Sequence, residues 1–204
     1  MKKGYWLGIL FFSSLWGSSE VMLGDFLYRS NFPLASVPLT IIAFIILTIA
    51  KIYLPQRGSA TFIASIAMLY KLLNAPFFAC HLLAIFLLGV SYDLVFSSPK
   101  IKSKAILGLV ATYFGYTLFA FIITYIFRYH YWIGEGFVKI VRYVGIGGTL
   151  AALANSVAVP ISFNLGQRLK EGMINPFEFN SRLATGSVSL ITITLWFLGL
   201  ARWL

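Results

Sequence analysis

Two apolar runs without a single charge, Leu39–Ala50 and Ala105–Phe127, constrain this chain more than any other feature. Similar runs fill most of the remaining length, broken only by short basic or Gly/Pro stretches. A segment of roughly 18 or more apolar residues is long enough to cross a bilayer. Hydrophobic residues make up 59% of the chain and charged residues 11%, and the mean hydropathy is +0.86. A water-soluble domain needs far more polar surface than that. The expected fold class is therefore all-α, a polytopic transmembrane helix bundle forming one domain over residues 1–204.

About seven spans are expected, near Tyr5–Leu27, Ser36–Leu54, Ser59–Leu73, Phe78–Phe96, Lys104–Phe127, Phe137–Phe163 and Leu183–Trp203. Pro33, Pro38, Pro55, Pro76, Pro99 and Pro176 fall in or beside the loops, as helix breakers should. Pro160 lies inside the sixth span and predicts a kink or an end there. Span three is short and barely separated from span four, so a re-entrant hairpin and six spans are the alternative. Met1-Lys2-Lys3 and the apolar stretch behind them imitate a signal peptide. Ser18, Ser19 and Glu20 lead straight into more apolar sequence, so an uncleaved first helix is expected.

The net charge is +10. The basic residues sit between apolar runs, which points to topology and to anionic lipid, not to nucleic acid. Lys2 and Lys3, then Lys51 and Arg57, then Lys100, Lys102 and Lys104, then Arg168, Lys170 and Arg182 all fall on one side if the N-terminus is inside. Arg29, Arg128, Lys139, Arg142 and Arg202 fall on the other, partly offset by Asp25 and Glu135. Cytoplasmic loops carry excess Lys and Arg. The expected location is the cell membrane, with the N-terminus cytoplasmic. Tyr5, Trp6, Tyr129, Tyr131, Trp132 and Trp203 crowd the span ends and read as interfacial aromatic belts without a site role.

Charged groups at membrane depth are expensive and usually face the bundle interior. Glu20 lies roughly 22 Å along the first helix at 1.5 Å per residue. Lys71, Asn74 and His81 reach a similar depth on the third and fourth spans. An acid, a base, an amide and an imidazole could thus line an outward-opening pocket for a small-molecule substrate. A structural Glu20–Lys71 ion pair, a snorkelling Lys71 and an interfacial His81 are the bland alternatives. Asp93 reads as an interface charge beside Lys100, Lys102 and Lys104.

Ser13, Gly17, Glu20 and Gly24 form one stripe on the first helix, and small residues let another helix approach closely. The stripe turns Glu20 toward protein. Gly4 and Gly8 make a GxxxG at the other end of that helix. The sixth span carries Gly145, Gly147, Gly148, Ala151, Ala152, Ala154, Ser156 and Ala158, with Asn155 near mid-depth. Such stripes join helices of one bundle or, alternatively, a partner subunit.

No HExxH, GxSxG or Walker A sequence occurs, so no zinc-protease helix, nucleophile elbow or ATP-driven step is encoded. Cys80 is the one cysteine and there are two histidines, which makes a closed zinc site improbable without carboxylates. No cofactor is expected, and the metal question stays open.

The segment Leu15-Trp16-Gly17-Ser18-Ser19-Glu20, the Asn31-Phe32-Pro33 loop, and Arg57-Gly58-Ser59 leading to Lys71-Leu72-Leu73 resemble the substrate-capturing (S) components of energy-coupling factor transporters. Ala84-Ile85 to Asp93-Leu94 looks like the same kind of sequence, so about half the chain is covered. The resemblance implies a helical domain that captures a vitamin or metal ion from outside. It also implies docking on a transmembrane coupling subunit driven by separate ATPases, through small residues that map to Gly4, Gly8, Ser14 and Ser18. That family usually has six spans, not seven. The leading expectation is a non-enzymatic binding subunit for uptake. An intramembrane enzyme acting on a lipid substrate and a structural or assembly subunit are the alternatives.

Overall fold

The computed structural model describes residues 3–72, 79–98, 101–172 and 182–201. Among them every regular element is helical. The helices are α1 (Lys3–Arg29), α2 (Ser36–Tyr53), α3 (Ser59–Lys71), α4 (Ala79–Phe96), α5 (Lys104–Phe121), α6 (His130–Ile133), α7 (Gly136–Arg142), α8 (Thr149–Gly172) and α9 (Arg182–Ala201). A π-helical turn over Ile122–Ile126 extends α5, and another over Tyr143–Gly148 joins α7 to α8. Among the described residues four stretches are long and apolar enough to cross a membrane: Gly4–Arg29, Ser36–Tyr53, Lys104–Ile126 and Gly136–Glu171. Cys80–Phe96 and Gly186–Leu198 are shorter apolar helices. Each expected span thus corresponds to a helix.

The helices close a ring. α1 packs against α3, α3 against α4, α4 against α5, α5 against α8, α8 against α2, and α2 against α1. α9 lies outside the ring against α1. Within lipid the acyl chains are as apolar as leucine, so close van der Waals packing, not removal from water, holds such helices together. Small residues permit that closeness. A Cβ on Gly17 would come 2.6 Å from the Tyr70 side chain, and one on Gly8 2.9 Å from Leu54. The stripe on α1 is therefore spent within this chain. The centre holds Ile9, Trp16, Phe44, Ile63, Tyr92 and Val159, all fully buried.

Hydrogen bonds fix which helix ends lie together. Lys170 Nζ donates to the Ile52 carbonyl, and the Lys104 ammonium sits 4.5 Å over the Phe163 ring. Gly8 of α1 meets Leu54 at the same end. Lys51, Lys104 and Lys170 thus share one end of the bundle with the start of α1, as the basic loops predicted. α3 spans 13 residues, roughly 20 Å. Its first turn bonds Asp93 of α4, and its last residue, Lys71, bonds α1 at Glu20. It therefore runs from the basic end to the depth of Glu20, and α4 returns from His81 to Asp93.

The first turn of α3 has no local side-chain cap. Asp93 supplies one from another helix. Its Oδ2 accepts the Thr61 amide at 2.7 Å and the Thr61 hydroxyl at 2.9 Å, while Oδ1 accepts Lys51 Nζ at 3.0 Å. A helix N-terminus carries unpaired N–H groups and partial positive charge, and a carboxylate answers both. Asp93 is thus a buried three-helix clasp, not an interface charge.

Further expectations change. Of the two outcomes expected at Pro160, an end of the helix does not occur, for α8 continues to Gly172. Packing against α2 and α5 holds the helix through the lost N–H, and the polar run after Phe163 is a helical extension, not a loop. Trp132 is buried against Phe119 and Tyr143 rather than placed in an aromatic belt. Trp203 lies outside the described residues.

Candidate functional site

The end of the bundle away from the basic loops contains a cavity of about 50 Å³ with an apolar wall and a few polar groups. α1 contributes Glu20 and Tyr28, α2 contributes Ser36 and Thr40, and α4 contributes His81. α5 adds Tyr116 and Phe119, and the π-helical turn before α8 adds Tyr143. Leu39, Ile85 and Leu88 supply apolar wall. Four helices and one π-helical turn thus converge on a single hollow.

Glu20 is 7% exposed. Its placement follows from α1: Gly17 lies one turn earlier and lets α3 press close, which turns the same face inward. Trp16, fully buried one turn before, donates its indole N–H to Glu20 Oε1 at 3.1 Å. Among the described residues no donor meets Oε2, and the carboxylate lines the cavity. A buried carboxylate whose acceptor capacity is only partly used is a strong anchor for a donor or a positive charge.

Aromatic rings wall the rest. Tyr28 stacks on His81 with centroids 4.9 Å apart, and Tyr116 stacks on Tyr143 at 4.9 Å. Thr40 Oγ1 lies 3.3 Å from the Tyr116 hydroxyl and donates to the Ser36 carbonyl at 2.7 Å. Behind these, Trp132 packs edge-on against Phe119 at 5.4 Å and against Tyr143 at 5.1 Å. The short helix α6 thereby caps the rings that line the cavity. Tyr143 occupies a π-helical turn, a local widening that often marks functional sites in helical proteins. Gly147 and Gly148 in the same turn lie against Tyr116, where a Cβ would make ordinary contact.

Of the residues expected to form a site, Glu20 and His81 line the same cavity. Lys71 does touch Glu20, but through the backbone: its ammonium donates to the Glu20 carbonyl at 2.6 Å. Gly24 lies beside that reach, where a Cβ would stand 3.3 Å from the flexible end of Lys71. The Lys71 ammonium sits behind Glu20 and is not part of the cavity lining. Asn74 lies outside the described residues.

The residues expected to dock a partner are partly occupied by this chain. Gly4 is buried, and Gly8 lies under Leu54. The Ser14 hydroxyl accepts the Trp196 indole N–H of α9 at 2.9 Å. Ser18 is buried and donates to the Leu15 carbonyl. The Tyr70 hydroxyl also donates to the Leu195 carbonyl, so α9 is bound to both α1 and α3.

Tyr28, Ser36, Thr40, Tyr116 and Tyr143 were not foreseen as site residues. Isolated tyrosines in apolar helices carry no spacing signal, and only the fold brings them together.

No protein-family model matches this chain, and neither curated proteins nor solved structures provide a match. What fold and site define is, among the described residues, an all-helical bundle with four stretches long and apolar enough to cross a membrane and a cavity that Glu20 lines.

Proposed function

We propose that this protein is the membrane-embedded, substrate-binding subunit of an uptake system and that it captures a small molecule in the Glu20 cavity. The observation that carries the reading is the buried Glu20 carboxylate, held at one oxygen by Trp16 and, among the described residues, open at the other, in a hollow lined by His81, Tyr28, Tyr116 and Tyr143. Such a group is costly at membrane depth, and a ligand donor offsets that cost.

Size narrows the ligand. Drug-sized and cofactor-sized ligands occupy about 300–1,000 Å³. A hollow of about 50 Å³ holds a solute of a few heavy atoms, and a vitamin enters only if the α6 cap and Tyr143 move outward. A metal ion is the weaker candidate, because among the described residues no group of three His, Cys, Asp or Glu converges. In this reading the basic end faces the cytoplasm of the cell and the cavity opens outward, in line with the excess of lysine at that end. Energy comes from a coupling subunit with separate ATPases. That subunit docks on a face other than the one α9 covers at Ser14.

Native mass spectrometry of gently extracted protein tests the reading. Wild type is expected to carry a small molecule that Glu20→Gln loses while its helix content is unchanged. Identical small-molecule content in both proteins, or none in either, refutes it.

A further inference from the structure

We propose that the cleft between the ends of α2 and α8, at the basic end of the bundle, binds the phosphate headgroup of an anionic phospholipid. α2 and α8 touch where Gly166 lies against Ile52 and Ile49. Beyond that contact they part and leave an open cleft of about 580 Å³. Lys51, Gln167 and Lys170 bring donors to it, Ile52 and Phe163 give it apolar surface, and Glu171 lines it too as an opposing charge.

Donor capacity is left over. An ammonium group has three N–H bonds. Lys51 spends two, on the Gln56 carbonyl and on Asp93. Lys170 spends one among the described residues, on the Ile52 carbonyl. The Gln167 amide adds further donors. The Lys104 ammonium, 4.5 Å over the Phe163 ring, adds a third positive charge beside the same surface. Asp93 is already matched by Lys51 and Thr61. That leaves Lys104 and Lys170 against Glu171, a modest excess of positive charge.

A modest excess suits a phosphodiester, with its single negative charge, better than a soluble polyphosphate. The position supports the same choice. Both helices are long and apolar enough to span a membrane, so their ends reach headgroup depth, where basic clusters between helices hold anionic lipid. Ile52 and Phe163 then meet the glycerol end of the lipid, which a free anion would leave unused. The site is separate from the Glu20 cavity and does not depend on what that cavity binds.

The test uses the full chain purified in a neutral detergent and titrated with phosphatidylglycerol or phosphatidylcholine, with retained lipid counted by native mass spectrometry. Wild type is expected to keep one phosphatidylglycerol under conditions that strip phosphatidylcholine. Lys170→Gln should weaken that retention about fivefold, and Lys170→Gln with Lys104→Gln further. Lys170→Arg should retain it, and the melting temperature in detergent without phosphatidylglycerol should be unchanged in all three. Equal retention of the two lipids, or undiminished phosphatidylglycerol binding in the double variant, overturns the proposal. Displacement of the lipid by millimolar inorganic phosphate also overturns it, by assigning the cleft to a soluble anion.

Discussion

Removing the Asp93 carboxylate should destabilise the bundle more than removing its lysine partner, and the difference can be worked from the geometry. The pair is largely hidden, with side-chain exposures of 17% for Lys51 and 7% for Asp93. Breaking a buried pair by deleting one member costs about 3–5 kcal/mol, because the survivor is left without compensation. In Asp93→Ala the Lys51 ammonium loses its charge partner, and the Thr61 amide and hydroxyl lose their acceptor. That variant belongs at the full 3–5 kcal/mol. In Lys51→Met the carboxylate keeps both Thr61 donors, so about 1–3 kcal/mol is expected, nearer the cost of one unmet charged hydrogen bond. In the double variant the orphaned charge disappears, so the summed single effects should exceed the double effect by about 0.5–3 kcal/mol. Equilibrium unfolding in mixed micelles, followed by tryptophan fluorescence, measures all four corners of the cycle. Additive single effects, or a Lys51→Met cost equal to that of Asp93→Ala, would show that no clasp ties α2, α3 and α4.

Two further outcomes follow from local geometry. Gly17→Ala places a methyl 2.6 Å from the Tyr70 side chain and should cost about 1–3 kcal/mol by overpacking, whereas Gly24→Ala, whose tightest neighbour is the mobile end of Lys71 at 3.3 Å, should cost less. Unfolding of the two variants in micelles checks the order, and equal costs would count against the tight α1–α3 contact. At the exposed loop before α7, the Lys139 hydrogen bond, aided by Arg142, holds the Glu135 carboxyl below its ordinary 4.5. A depressed carboxyl contributes stability that is present above its unfolded value and is lost as pH falls through the folded one. The wild-type advantage over Glu135→Gln in thermal melts should therefore hold at neutral pH and fade below about pH 4. A constant difference down to pH 2 would contradict the assignment.

Much of the fold was readable along the chain, and the reason is local. Apolar runs and proline punctuation marked the helices, and the spacing of the lysines grouped three of them at one end. The α1 stripe of Ser13, Gly17, Glu20 and Gly24 correctly turned Glu20 inward. His81 does share a cavity with Glu20. Distances between helices were not readable. Asp93 was assigned to the nearby Lys100–Lys104 group, yet its partner is Lys51, 42 residues earlier. Lys71 looked like a ligand anchor, but its ammonium turns to a backbone carbonyl.

Hydropathy alone determined that this chain forms helices for a membrane, since helix formation is a property of consecutive residues and of the solvent around them. Packing alone decided the site. Tyr28, Thr40, Tyr116 and Tyr143 acquire a shared purpose only when α1, α2, α5 and the turn before α8 close around one hollow. The same closure puts α9 over Ser14. Side-chain chemistry at a cavity depends on which helix faces which, and within lipid that choice rests on shape and hydrogen bonding between segments far apart in sequence.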